Sequence, residues 1–168
     1  MNTDLEIKKA DVSHADSIKR IWNPIIRDTL WTFNSLEKSI KNIEDLIIER
    51  DRMDFGSIVA LRSNKVVGFA TYSQFRPGTG YLKTMEHTVI VDPKNRGQGV
   101  GKNLVKTLAH HAADRGIISL IAGVSEENAA GIAFHEHLGF QRISVLPQVG
   151  FKFGRSLDLV LMQKKLAS

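Results

Sequence analysis

Cysteine is missing from all 168 residues. That excludes a disulfide framework, a thiol nucleophile and any metal site built on thiolate. Proline is scarce, at four residues, and no proline-rich linker, repeat or low-complexity tract appears. Aromatic residues make up only 7% of the chain. No apolar run approaches the roughly eighteen residues of a membrane-spanning helix. The opening stretch MNTDLEIKKADVSHAD is too polar for a secretory leader. These absences predict a cytoplasmic protein with no membrane partner.

What is present is ordinary globular composition, 42% hydrophobic and 24% charged. The length fits one domain over residues 1–168 with a sizeable core. The net charge of +5 suits an anionic ligand. The lysines and arginines are scattered, however, and with few aromatics they leave no nucleic-acid footprint.

Periodicity divides the chain into strands and helices. LEIKKA (5–10) alternates as a half-buried strand does. Asp11 or Ser13 can cap a helix over 14–28, and Ser35 with Glu37 and Lys38 opens a second. SIVALR (57–62), VVGFATYSQF (66–75) and KTMEHTVIVDP (83–93) read as strands, with RPGTGY (76–81) a loop. Residues 100–115 read as a helix, IISLIAGV (117–124) as a strand buried on both faces, and 128–140 as a helix closed by Gly139. ISVLPQV and LDLVLMQKKL complete a βααβββαβαββ order, a mixed α/β domain.

NRGQGVGKNL (95–104) places Arg96, Gly97, Gln98, Gly99, Val100, Gly101 and Lys102 between a strand and a helix. A helix start offers unpaired N–H groups and the positive end of its dipole. Glycines allow close backbone approach, and phosphate is the usual occupant of such a site. The Walker A pattern fails, because Arg96 stands where its first glycine should be and Asn103 follows Lys102. The G-x-G-x-x-G fingerprint fails because the glycines alternate.

Arg96-Gly97-Gln98-Gly99-Val100-Gly101 instead resembles the pyrophosphate loop of the GNAT acetyltransferases, Arg/Gln-x-x-Gly-x-Gly/Ala. MEHTVIVDPKNRGQGVG, NAAGIAFHEHLGF and LPQVGFKFGRSLDLVLMQ resemble that family's phosphinothricin and methionine-sulfoximine N-acetyltransferase branch, which includes herbicide-resistance enzymes. The resemblance implies a central sheet of about seven strands with about four helices, acetyl-CoA as co-substrate, no metal, a small amino-acid substrate and a homodimer. It implies pyrophosphate on 96–102, backbone pairing of Val89, Ile90 and Val91 with pantetheine, and a cofactor bond from Asn128. Asn128 can equally be a helix cap.

Amide formation needs a deprotonated amine, so a base helps. Glu86 holds the position of the family's glutamate and is the first candidate. It also belongs to the expected substrate contacts. His135 replaces the tyrosine with which many relatives protonate the leaving thiolate. His87 should point away from Glu86, His137 should face solvent, and His110 and His111 cannot converge on one metal. Arg76, in the loop before the Glu86 strand, suits a substrate carboxylate. Phe33, Trp31 and Tyr81 could wall an apolar pocket or be core, and TLWTF departs from the TATF of the herbicide-resistance enzymes. The leading expectation is N-acetylation of a small amino acid. Acetylation of protein N-termini or lysines, and a non-catalytic CoA-binding module, remain the alternatives.

Overall fold

The computed structural model describes residues 5–166. The first four residues of the polar opening stretch, and residues 167–168, lie outside it. Seven strands and four helices follow in the expected order. They are β1 (Leu5–Lys9), α1 (Ala15–Asp28), α2 (Ile40–Arg52), β2 (Ser57–Arg62), β3 (Lys65–Gln74), β4 (Thr84–Val91), α3 (Val100–Asp114), β5 (Ser119–Ser125), α4 (Ala129–His137), β6 (Gln141–Lys152) and β7 (Arg155–Lys165). The strands form one sheet in the order β1-β2-β3-β4-β5-β7-β6. Every neighbouring pair is antiparallel except β4 and β5.

Alternation along β2 sends Ile58 and Ala60 to one face and Val59 and Leu61 to the other. The first face packs on Leu104 and Leu108 of α3 and Ile132 of α4. The second packs on Ile18 and Ile26 of α1 and Ile43 and Ile47 of α2. The result is a sheet between two helical layers. Among the described residues no helix is long and apolar enough to cross a membrane.

Two local expectations are corrected. Helix α2 begins at Ile40, because Ser39 rather than Ser35 caps it. The Ser39 hydroxyl accepts from the Asn42 N–H (3.0 Å), and the Asn42 side chain accepts from the Ser39 N–H (2.9 Å). The 29–39 connection is tied back to α1 by buried Asn23, which donates to the Lys38 carbonyl and accepts from its N–H, each at 2.9 Å. Strand β5 is not buried on both faces. Leu120, Ala122 and Val124 are buried, but Ile121 is half-buried and Gly123 exposed, because that face opens on a cavity.

The cavity follows from the β4–β5 ladder. Pairing covers only Thr84 with Ser119, Met85 with Leu120 and Glu86 with Ile121. Beyond Glu86 the two strands keep their outer partners, β3 and β7, and part from each other. At the opposite edge of the sheet, β6 turns Ile143, Val149 and Phe151 outward, 58%, 56% and 69% exposed.

Candidate active site

The gap between β4 and β5 opens a cavity of about 650 Å³, bordered by α1, α3, α4 and the α1–α2 connection. One end meets the start of α3. Gly97 (φ 70°) and Gly99 (φ 80°) lie in the left-handed region that favours glycine. A Cβ on Gly97 would meet nothing within 4 Å, so the loop faces open space. Among the described residues no side chain caps α3, and its first helical hydrogen bond runs from the Asn103 N–H to the Gly99 carbonyl (3.0 Å). The N–H groups of residues 100–102 therefore lack intrahelical acceptors. Arg96 and Gly97 line the cavity beside them. This donor set fits an anionic diphosphate. Val89, Ile90 and Val91 border the gap, where β4 has no strand on that side.

Not every residue of the loop faces the cavity. The Gln98 side chain is bonded to Arg62 and to the Lys94 carbonyl, which leaves only its backbone for a ligand. Val100 is core and Lys102 points to solvent. Gly101 lines the cavity, but a Cβ there would lie 3.1 Å from the Phe134 ring, so the position also serves contact between α3 and α4. Asn128 lines the cavity too, and its side chain accepts from the Gly131 N–H (2.9 Å), capping α4.

The other end holds Glu86. Its carboxylate is half-buried, and among the described residues no cation pairs with it. Burial raises its pKa from the ordinary glutamate value. Gly123 on β5 makes the room, since a Cβ there would lie 2.9 Å from a Glu86 oxygen. Phe33 and Trp31 form the wall from the α1–α2 side. Phe33 is seated on Gly150 of β6, where any side chain would overlap its ring.

His135 lines the cavity, and both of its ring nitrogens have partners within the fold. Its Nδ1 lies 2.7 Å from the Gly131 carbonyl, an acceptor that requires the proton on that nitrogen. Its Nε2 faces His87 Nε2 at 3.0 Å. Burial holds His135 below the ordinary histidine pKa, and burial plus the facing His135 pushes His87 down to about 3. Both rings are therefore neutral at pH 7. His87 donates and His135 accepts, and among the described residues the His87 Nδ1 is buried with no hydrogen-bond partner. His87 does lie on the opposite strand face from Glu86, packed against His135 and Phe140. His137 is exposed.

Arg76 and Tyr81 do not line the cavity. Ser73 is the β3 residue opposite Glu86, so Arg76 stands three residues, about 10 Å, further out. Gln74 turns the loop there by donating to the carbonyls of Arg76 (2.6 Å) and Gly78 (2.8 Å). Arg76 is exposed over the Phe75 ring, and Tyr81 packs edge-on to that ring.

Three contributors lay outside the sequence reading. Gly123 and Gly150 are recognised only by what they face. Lys152 is 2% exposed and donates to the carbonyls of Ile26 (2.6 Å), Thr29 (2.7 Å) and Thr32 (3.0 Å). A lone lysine within the apolar VGFKFG was its only sequence signal.

Comparison with known proteins places this geometry in context. The pattern of the acetyltransferase (GNAT) family matches residues 22–140. The L-methionine sulfoximine/L-methionine sulfone acetyltransferase of Pseudomonas aeruginosa is 35% identical over 161 residues, 95% of this chain and 94% of the relative. The crystal structure of a ribosomal-protein-alanine N-acetyltransferase from Brucella melitensis superposes with a TM-score of 0.93 at 38% identity, covering 96% of this chain and 99% of that one. A phosphinothricin acetyltransferase from Sinorhizobium meliloti, solved in complex with acetyl-CoA, gives 0.92 at 27% identity, covering 97% and 89%.

Proposed function

The chain belongs to the GNAT acetyltransferase family, and from that premise we propose that it moves an acetyl group from acetyl-CoA to the amino group of a small amino acid or analogue, such as methionine sulfoximine, methionine sulfone or phosphinothricin. The observation that carries this is the pairing of an uncapped, glycine-lined α3 start with an unpaired, half-buried Glu86 at two ends of one cavity. When bound, acetyl-CoA supplies an activated acetyl thioester. The N–H groups at the start of α3, with Arg96, hold its diphosphate. The free edge of β4 at 89–91 aligns its peptide-like arm, as an added strand would pair.

Glu86 takes the proton that an amino acid's ammonium carries at neutral pH, directly or through one water. Its raised pKa makes it a stronger base than a solvated glutamate. His135, neutral and with both nitrogens engaged, holds α4 against β4 rather than donating a proton. Phe33 and Trp31 enclose the amine end, which suits a small substrate. The outward apolar side chains of β6 and the branch resemblance support a homodimer.

The Brucella likeness favours a second reading, acetylation of a protein N-terminal alanine. A thiol-release assay over methionine sulfoximine, methionine sulfone, phosphinothricin and alanine-initiated peptides separates the two. Turnover of the free amino acids is expected to exceed that of the peptides; the reverse order would overturn the small-substrate assignment.

A further inference from the structure

The two ends of the cavity touch at one point. The Arg96 guanidinium lies over the Trp31 ring, 4.8 Å from its centre. Arg96 belongs to the loop after β4, Trp31 to the connection between α1 and α2. Both line the cavity, and Trp31 is 37% exposed at its rim. The backbone beneath the indole is fixed on both sides. Lys152 holds the carbonyls of Thr29 and Thr32, and the Thr29 hydroxyl accepts from the Trp31 N–H (3.2 Å). The indole is thus presented to Arg96 by a pinned segment.

A guanidinium over an aromatic ring uses its π-face attraction there and still has N–H donors directed away from the ring. The same side chain can therefore hold Trp31 and donate to a phosphate. We propose that Trp31 is a positioning residue that couples cofactor and amine binding. Seated under Arg96, it orders the guanidinium for the diphosphate. A phosphate-anchored Arg96 in turn fixes the indole as the wall of the amine pocket, beside Phe33. The coupling is reciprocal: each ligand raises affinity for the other by one factor. This inference rests on the acetyl-CoA reading above.

The chain has two tryptophans, and Trp22 is buried. Trp22 also lines the cavity, so the part of the emission change on titration with CoA that is lost in Trp31→Leu is the part that reports on Trp31. Calorimetry then gives the dissociation constants for acetyl-CoA, and for the amine the wild type acetylates, measured with and without CoA. Trp31→Leu is expected to weaken acetyl-CoA binding about three- to tenfold. It should also reduce the emission change to the part owed to Trp22 and abolish the CoA-dependent gain in amine affinity. Trp31→Phe, with a smaller ring in the same place, should recover part of the coupling. An undiminished coupling factor in Trp31→Leu, or a wild type whose amine affinity ignores CoA, overturns the inference and leaves the enzymatic reading standing. A wild type that binds no acetyl-CoA overturns both.

Discussion

The cofactor end of the cavity is made of neighbours in sequence, running from Val89 on β4 to Gly101 in the first turn of α3, with Asn128 added from α4. The amine end is made of Trp31, Phe33, Glu86, Gly123, Gly150 and Leu159, drawn from the α1–α2 connection and four strands. The first offers backbone N–H groups and a positive helix end, so its chemistry is fixed by local conformation. The second depends on where distant strands and a connection bring side chains. Its accuracy is that of the tertiary structure, and it is held by one buried ammonium on three carbonyls.

The comparison is tested most severely at Glu86. Glu86→Gln keeps the shape and removes the base. Turnover at neutral pH should fall about 10²–10⁴-fold, with the acetyl-CoA dissociation constant unchanged by calorimetry. Because burial raises the Glu86 pKa, the wild-type rate should decline on acidification at a higher pH than a solvated glutamate would dictate. A loss below threefold at every pH would remove Glu86 from proton transfer.

Gly99→Val attacks the other end. A β-branched residue at φ 80° distorts the start of α3 at a cost of about 1–2 kcal/mol or more. The acetyl-CoA dissociation constant should rise about tenfold, while the amine end keeps its geometry. Unchanged binding by a folded variant would move the diphosphate elsewhere.

Lys152→Met asks whether the amine end is held at a distance. It preserves the aliphatic stem and strips the donor from three carbonyls, for a loss of about 1–3 kcal/mol in denaturant melts. The KM for the amine should rise more than the dissociation constant for acetyl-CoA. Equal effects on both would mean that Lys152 supports the whole fold rather than that end.

The last test concerns the buried pair of His87 and His135. His87 has a native pKa of about 3, against an ordinary 6.5. Between those values the unfolded chain binds a proton that the native chain refuses, so stability is lost as pH falls below 6.5. The slope from this group approaches about 1.4 kcal/mol per pH unit. His87→Gln should flatten that slope by about one proton; an identical pH dependence would show that His87 charges freely in the folded protein.

Legibility in the sequence follows the same division. The order of elements, the glycine loop and the Asn128 cap are written in short-range patterns, and the structure has them where periodicity and capping rules put them. Arg76 shows the limit. Its closeness to Glu86 in sequence suggested closeness in space, but strand register sets it three residues beyond Ser73, the partner of Glu86, and it does not line the cavity. His135 shows another. Its helix was readable, while its burial and the partner that decides its proton, His87, a strand residue 48 positions away, were not. Lys152 and Gly150 act only across the fold, so no local pattern marks them.

The three-residue ladder between β4 and β5 has a consequence for the life of the protein. A ligand that lies in the gap takes the place of a missing strand and adds its own binding free energy to the folded state alone. The protein's resistance to unfolding then rises with the logarithm of ligand concentration, by about 2.7 kcal/mol at one hundred times the dissociation constant. Turnover of the protein by proteases would slow when acetyl-CoA is plentiful and quicken when it is scarce. On that reading the break in the sheet would tie the protein's resistance to unfolding to the supply of its co-substrate.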